Sequence, residues 1–249
     1  MQERGRRSAL QFHNARFFVT GHALSNIGTF SQIVALSLLV LSLTDSGVAL
    51  GAVMAVQAVP MILLGFWAGP RLDRLELRRV QVVTAVAGAA QAAFLAGLSV
   101  TGTISLPWIF ALSFGLGCVQ AFDRPAAQAF ITELVPREAI PSAVGLASAA
   151  QSIGRLGGPA LAAVLYAWSG SGSVFAVNAL SYAAVLASLM SLRGAELVPR
   201  PLHTSKRTDM SAALAFAWRS PAVRSVLLAN VVIGLFTFIS RRSSPPSRA

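Results

Sequence analysis

Charged residues are scarce in this chain of 249 residues. Aspartate, glutamate, lysine and arginine make up 12% of it, and hydrophobic residues make up 55%. A soluble domain carries about 25% charged residues, so the composition excludes an ordinary soluble enzyme. Acidic residues are the scarcest, with nine against twenty basic residues and a formal net charge of +11. Because the basic residues are spread between apolar runs and form no single patch, we expect no nucleic acid among the partners.

Cysteine and histidine are also rare. The one cysteine, Cys118, lies inside an apolar run, which excludes a disulfide framework and a cysteine-based metal site. Membrane-embedded enzymes need paired acids, a metal cluster, or a serine and a histidine at membrane depth. We expect all nine acids in loops or at helix ends, and His13, His22 and His203 at or outside the edges of the apolar runs. The sequence therefore predicts no catalytic residues, no metal and no cofactor, and a protein that is not an enzyme.

Long apolar runs dominate what is present, and the mean hydropathy is +0.65. About 20 apolar residues cross the hydrocarbon core of a bilayer as a helix. Seven runs of about this length or more, bounded by charged or turn residues, lie at 17–43, 47–70, 80–100, 104–123, 140–168, 172–192 and 222–240. The sequence therefore predicts an all-α, polytopic bundle of transmembrane helices, with the lipid bilayer as its first partner.

The segments outside the six regularly spaced runs of 17–192 differ from one another. The N-terminus at 1–16 is short and basic, and the connector at 193–221 is longer and more polar than the others, which indicates a linker before the seventh run. The tail at 241–249 is rich in serine, proline and arginine and carries no folding signal, so we expect it to be disordered. We expect this tail to reflect a truncation or a frameshift, because its arginines fall on the side that the charge rule assigns to the outside.

Basic residues are distributed asymmetrically between the connectors. The turn-like connectors at 44–47, 101–103 and 169–172 contain no lysine or arginine, whereas the N-terminus and the other connectors hold sixteen of the twenty basic residues. By the positive-inside rule, the N-terminus and the basic connectors are cytoplasmic. We therefore expect a multi-pass protein of the cell membrane, specifically of a bacterial inner membrane.

The connector after the second run carries a motif of one glycine, one acid and three arginines: Gly69, Asp73, Arg74, Arg78 and Arg79. It resembles the Gly-x-x-x-Asp-Arg-x-Gly-Arg-Lys/Arg loop of the major facilitator superfamily, with Glu76 and Leu77 in place of the second glycine and the arginine that follows it. By this resemblance Gly69 permits a close helix approach and Asp73 faces a positive helix N-terminus. The arginines would lie at the anionic leaflet.

The fifth run carries a second motif of small residues and one proline: Gly145, Gly154, Gly158, Pro159, Ala162 and Ala163. Its spacing is similar to the Gly-x8-Gly-x3-Gly-Pro-x2-Gly-Gly motif of the superfamily's drug:proton antiporters, with alanines for the last two glycines. Small residues every fourth position, from Ala150 to Ala162, predict a ridge on which another helix packs closely. A kink is expected near Pro159. The alternative is a generic packing face of small residues.

Further matches at 24–29, 121–126 and 133–138 resemble the macrolide and siderophore exporters of the superfamily, and the resemblance covers roughly residues 16–240. It implies two six-span halves, so 17–192 would be a complete N-terminal half, 222–240 would be span seven, and the second half would be a missing partner. It also implies efflux of a small amphiphilic substrate, drug or siderophore-like, by alternating access with protons as the coupling ion. The alternative is a truncated, transport-inactive membrane fragment that assembles with or regulates another chain.

Polar residues within the runs are candidates for a central cavity. Arginine in the middle of a span costs about 2.5–3.5 kcal/mol on insertion scales, so Arg155 should face protein or water. In the superfamily, spans one and four line the cavity, and both carry polar faces here. We predict six cavity or substrate residues: Ser25, Thr29, Gln32, Gln120, Gln151 and Arg155. The alternative for Arg155 is a hydrogen bond to a neighbouring helix.

The asymmetry of basic residues gives a direct test of orientation. In a Cys118→Ser background, cysteines placed at Ser46 or Gly102 should react with an impermeant thiol reagent on whole cells, because these connectors are predicted to lie outside. A cysteine at Arg78 is the matched control and should react only after the cells are opened. Labelling of the Arg78 position on intact cells would reverse the predicted topology.

Overall fold

The computed structural model describes residues 8–198, and within that range the chain is almost entirely helical and contains no strand. Its long helices are α1 (His13–Thr44), α2 (Gly47–Leu72), α3 (Leu77–Val100), α4 (Leu106–Phe130) and a final helix over Ile140–Met190. The final helix breaks at Gly170, where φ is 72° and ψ is −169°, a conformation essentially confined to glycine. We therefore describe it as α5 (140–169) and α6 (171–190).

The helices are long and apolar enough to cross a membrane, which confirms the predicted all-α transmembrane bundle. Each overlaps one of the first six apolar runs, and the largest difference is at α4, which continues to Phe130 although the run was predicted to end at 123. In the sequence, the adjacent charged residues Asp123 and Arg124 are typical of a loop. The helix continues through them because Asp123 is hydrogen-bonded to α3. The predicted seventh span and most of the predicted linker lie outside the described residues.

The three connectors without basic residues each turn at one residue with positive φ. These residues are Asp45 (φ 49°), Gly102 (φ 68°) and Gly170 (φ 72°). Glycine adopts such conformations at no steric cost, and aspartate is among the few other residues that tolerate the left-handed region. The turns predicted for these connectors are confirmed.

α1 packs between α5 and α6, and glycine makes both contacts close. A Cβ added to Gly158 of α5 would lie 2.5 Å from Cβ of Phe30, and one added to Gly154 would lie 2.7 Å from Cβ of Asn26. On the other side of α1, a Cβ added to Gly28 would lie 2.5 Å from Oγ of Ser181 in α6. Carbon atoms normally approach to about 3.5–4.0 Å, so at these positions no side chain fits between the backbones.

The small-residue ridge of α5 provides the contact between α5 and α1. Its four members are all buried: Ala150, Gly154, Gly158 and Ala162. The hydroxyl of Ser31 donates to the carbonyl oxygen of Gly158 at 2.8 Å, which joins α1 to α5 across the ridge. Backbone dihedrals remain helical through Pro159, and the break in this stretch lies at Gly170. Gly145, Pro159 and Ala163 are exposed and take no part in the buried ridge.

Other helix pairs use the same kind of contact. Gly117 of α4 lies directly against Gln57 and Pro60 of α2, and Gly88 of α3 lies beneath the ring of Tyr182 in α6. With the contacts between α3 and α4, the helices are neighbours in the order α2, α4, α3, α6, α1 and α5. This order leaves space between α1, α4 and α5.

The close contact at Gly158 predicts a sharp difference between two adjacent glycines of α5. Gly158→Ala should lower the stability of the purified protein by about 1–3 kcal/mol, because the added methyl group overpacks the contact with Phe30 and Ser31. Gly157→Ala is the matched control, because its Cβ would make an ordinary contact 3.8 Å from Ile27. Thermal unfolding in detergent measures both, and equal stability of the two variants would contradict the packing described here.

Candidate functional site

A cavity of about 530 Å³ lies between α1, α4 and α5, and α3 and α6 close its base. Pockets for small molecules span about 300–1,000 Å³. Its apolar wall includes Phe30, Ile33 and Val119. Its polar wall consists of His22, Ser25, Asn26, Thr29, Thr84, Gln120, Asp123, Arg124, Gln128, Ser148, Gln151 and Tyr182. A cavity with both kinds of wall suits a ligand that carries apolar surface together with hydrogen-bonding groups.

Four of the six predicted cavity residues line this space: Ser25, Thr29, Gln120 and Gln151. They come from three helices that are far apart in sequence, and the packing of α1 against α5 brings them together. Gln120 also approaches Gln57 of α2, with 3.4 Å between Nε2 of Gln57 and Oε1 of Gln120. Gln32 and Arg155 are not among the lining residues.

Gln32 is instead enclosed in a network of amide side chains. Asn178 of α6 donates to Oε1 of Gln32 at 2.7 Å, and Nε2 of Gln32 donates to Oε1 of Gln91 in α3 at 3.1 Å. Ser181 donates in turn to the carbonyl and side-chain oxygens of Asn178. The network joins α1, α3 and α6, and it satisfies polar groups that would be costly to leave unpaired in an apolar interior.

Arg155 lies beside the cavity, exposed on α5. Its guanidinium carbon is 5.8 Å from the centre of the Phe30 ring, within the range of a cation–π interaction. The same ring lines the cavity. Arg155 therefore approaches the cavity through an aromatic neighbour.

His22 and Asp123, two titratable side chains of the cavity, were not among the cavity residues predicted from the sequence. Asp123 lies two turns before the end of α4, and His22 lies well inside α1, so the expectation that acids and histidines lie at or beyond helix ends is wrong for these two residues. The hydroxyl of Thr84 donates to Oδ1 of Asp123 at 2.7 Å, and Nε2 of Gln81 donates to the same oxygen at 3.3 Å. The spacing of His22, Ser25 and Thr29 places them on one helical face, and this signal was available in the sequence.

The motif after α2 lies at the end of the bundle, away from the cavity. Asp73 caps α2, and a Cβ on Gly69 would meet no described atom within 4 Å. Arg78 donates to the carbonyl oxygen of Leu189 at 2.8 Å, close to the negative end of α6. Arg79 pairs with Glu76, the residue that replaces glycine in the motif, so this departure gives the loop an ion pair of its own. Arg74 follows the cap and is exposed.

Within residues 8–198, no three histidine, cysteine, aspartate or glutamate side chains are placed to hold a metal ion. The polar groups of the described cavity are suited to hydrogen bonding and to binding charge.

Comparison with known proteins gives a consistent family. A family model described as transmembrane secretion effector matches residues 8–240. The staphyloferrin A transporter of Staphylococcus aureus is 29% identical over 170 residues, which cover 67% of this chain and 42% of that protein. The MFS-type transporter YfiS of Bacillus subtilis is 26% identical over 230 residues, which cover 89% of this chain and 54% of that protein. The chain thus spans about half the length of the curated relatives it matches.

The amide network predicts a stability effect at a residue outside the cavity. Gln32→Ala should destabilise the protein by about 1–2 kcal/mol, because Oε1 of Gln91 and Nδ2 of Asn178 lose their hydrogen bonds to Gln32 in a buried position. Gln128→Ala is the matched control, since Gln128 is exposed on the cavity wall. Thermal unfolding in detergent compares the variants, and a Gln32→Ala protein as stable as the control would show that the network contributes little.

Proposed function

Because the chain belongs to the transmembrane secretion effector family of the major facilitator superfamily, we propose that it exports a small amphiphilic compound across the cell membrane. The compound moves by alternating access, in which two helical halves rock around a site near the middle of the bilayer. Protons entering the cell drive the export.

The observation that carries this proposal is the two-sided wall of the cavity. Apolar side chains such as Phe30 and Val119 face polar ones such as Gln120 and Gln151 across a space of about 530 Å³. A cargo with an apolar body and several hydrogen-bonding groups matches both walls. One relative is named for the transport of staphyloferrin A, and this supports a drug or siderophore-like cargo here.

The direction of transport and its coupling are supported by the motif on α5. Its small-residue ridge has the spacing of the drug:proton antiporters, and in this protein the ridge lies against α1, which also contributes residues to the cavity. The basic N-terminus and the basic connectors support a cytoplasmic N-terminus in a bacterial inner membrane. In this orientation the cavity receives its cargo from the cytoplasm or from the inner leaflet.

The partner of this bundle is a second six-helix half. Rocking requires two bodies, and the described residues contribute one bundle with one cavity face. This requirement gives a second candidate function. In that candidate the described bundle is inactive alone and transports only when it is assembled with a second half.

Reconstitution distinguishes the two candidates. The purified chain is placed in liposomes with an imposed proton gradient, and the uptake of staphyloferrin A and of the amphiphilic dye ethidium is followed. Flux that exceeds that of empty liposomes and disappears when an ionophore collapses the gradient is the result expected of a proton-coupled exporter.

Flux that appears only after co-reconstitution with the second half of a relative such as YfiS would support the assembly candidate. Absence of flux of either probe in both preparations would contradict export of this class of compound.

A further inference from the structure

Two titratable side chains line the cavity from two different helices. His22 on α1 and Asp123 on α4 both line the cavity. We propose that His22 and Asp123 together form the site at which one proton binds and is released in exchange for cargo. This inference rests on the proposed export function and assigns its coupling site to named residues.

Neutral donors hold the carboxylate of Asp123 in place. Thr84 donates to Oδ1 at 2.7 Å, and Gln81 donates to Oδ1 at 3.3 Å and to the carbonyl oxygen of Asp123 at 3.0 Å. Neither of the two ion pairs found among residues 8–198 involves Asp123. The carboxylate is therefore fixed in position by neutral groups of α3.

His22 is held by ring packing. The imidazole is 4.2 Å from the ring centre of Phe18, which makes an edge contact with Phe130 at 5.3 Å. Nε2 is buried and has no hydrogen-bond partner of good geometry in the described part of the chain. Asp123 and Gln81 are electrostatic neighbours of the ring. A ring nitrogen that has no other partner and lies near a fixed carboxylate can accept a proton.

The other residues that surround His22 and Asp123 come from α3, α4, α5 and α6. Arg124 on α4 and Tyr182 on α6 are the remaining titratable residues in the lining. The hydroxyl group of Tyr182 interacts with Thr29 and lies within electrostatic reach of Asp123. α3 contributes the neutral Gln81 and Thr84, and α5 contributes the neutral Ser148 and Gln151. Protonation of His22 therefore raises the net charge of the pair by one.

The exchange follows from competition for the same atoms. In the empty cavity a proton from water binds Nε2, and the imidazolium pairs with the Asp123 carboxylate. A cargo that donates hydrogen bonds or presents a positive group to Asp123 removes that stabilisation, and the proton leaves Nε2 for cavity water. One proton is thus released as cargo binds, and one is bound after cargo has left.

A titration without cargo tests the pair directly. The full chain, labelled with ¹⁵N-histidine and placed in lipid nanodiscs, is followed by NMR from pH 8 to pH 5, and His22→Gln assigns the signal of His22. We expect the signal of His22 to respond to pH, and its midpoint should differ in Asp123→Asn, because that variant removes the neighbouring carboxylate. Asp45→Asn is the control, because Asp45 is exposed at a left-handed turn that asparagine also adopts. A His22 that does not titrate, or a midpoint that is the same in Asp123→Asn, would overturn the inference.

Proton release on binding separates this inference from the proposed function. With staphyloferrin A or ethidium as the probe and a pH indicator in weak buffer, the wild type and His13→Gln should release up to about one proton per bound probe at a pH below the midpoint measured for His22. His22→Gln should release less than about half of that at the same probe occupancy. Equal release by His22→Gln, or binding without release in the wild type, would contradict the proton site. Failure of both probes to bind while His22 still titrates with Asp123 would count against the proposed cargo class alone.

Discussion

The close approach of α1 to α5 and α6 is the constraint on which the rest of this structure depends. In a bilayer, lipid tails are as apolar as leucine, so helices associate through close packing and hydrogen bonds more than through burial from water. Gly154 and Gly158 remove side chains from one side of α1, and Gly28 removes one from the other. On one face of α1 the polar residues can then contact α3 and α6, and on the adjacent face of α1 they line a cavity.

The polar residues of the spans fall into two groups with different physical roles. One group, centred on Gln32, is buried and pairs amide with amide, which fixes α1, α3 and α6 relative to one another. The other group faces the cavity, where hydrogen-bonding capacity remains for a cargo. His22 and Asp123 lie between these roles, because α3 anchors Asp123, while His22 lines the cavity and its buried Nε2 has no hydrogen-bond partner among the described residues. A site with one anchored carboxylate and one unpartnered ring nitrogen is suited to the exchange of a proton for cargo.

The apolar runs, the turns and the small-residue spacing were predictable because each is local. Run length predicts the helices, and glycine in the connectors predicts the turns at Gly102 and Gly170. The continuation of α4 past Asp123 was not predictable from local sequence, since it depends on donors supplied by α3. Contacts between distant parts of the chain also determine that Gln32 is buried, while Thr29, three residues earlier, lines the cavity. Helical spacing alone places both on a polar face and does not reveal which neighbour each will meet.

The structure separates a closed polar network from a cavity that is open to water. The accessibility of single cysteines to a water-soluble reagent measures this separation. In a Cys118→Ser background, single cysteines replace four small hydroxyl residues, Thr29 and Ser148 in the cavity and Ser31 and Ser181 in the packed contacts. The labelling rate is then measured with a charged methanethiosulfonate, which enters water-filled spaces and not lipid. We expect rapid labelling at Thr29 and Ser148, and labelling at Ser31 and Ser181 slower by about tenfold or more, in line with an opening free energy above roughly 1.4 kcal/mol. Similar rates at all four positions would show that the described cavity and the described packing are not distinct.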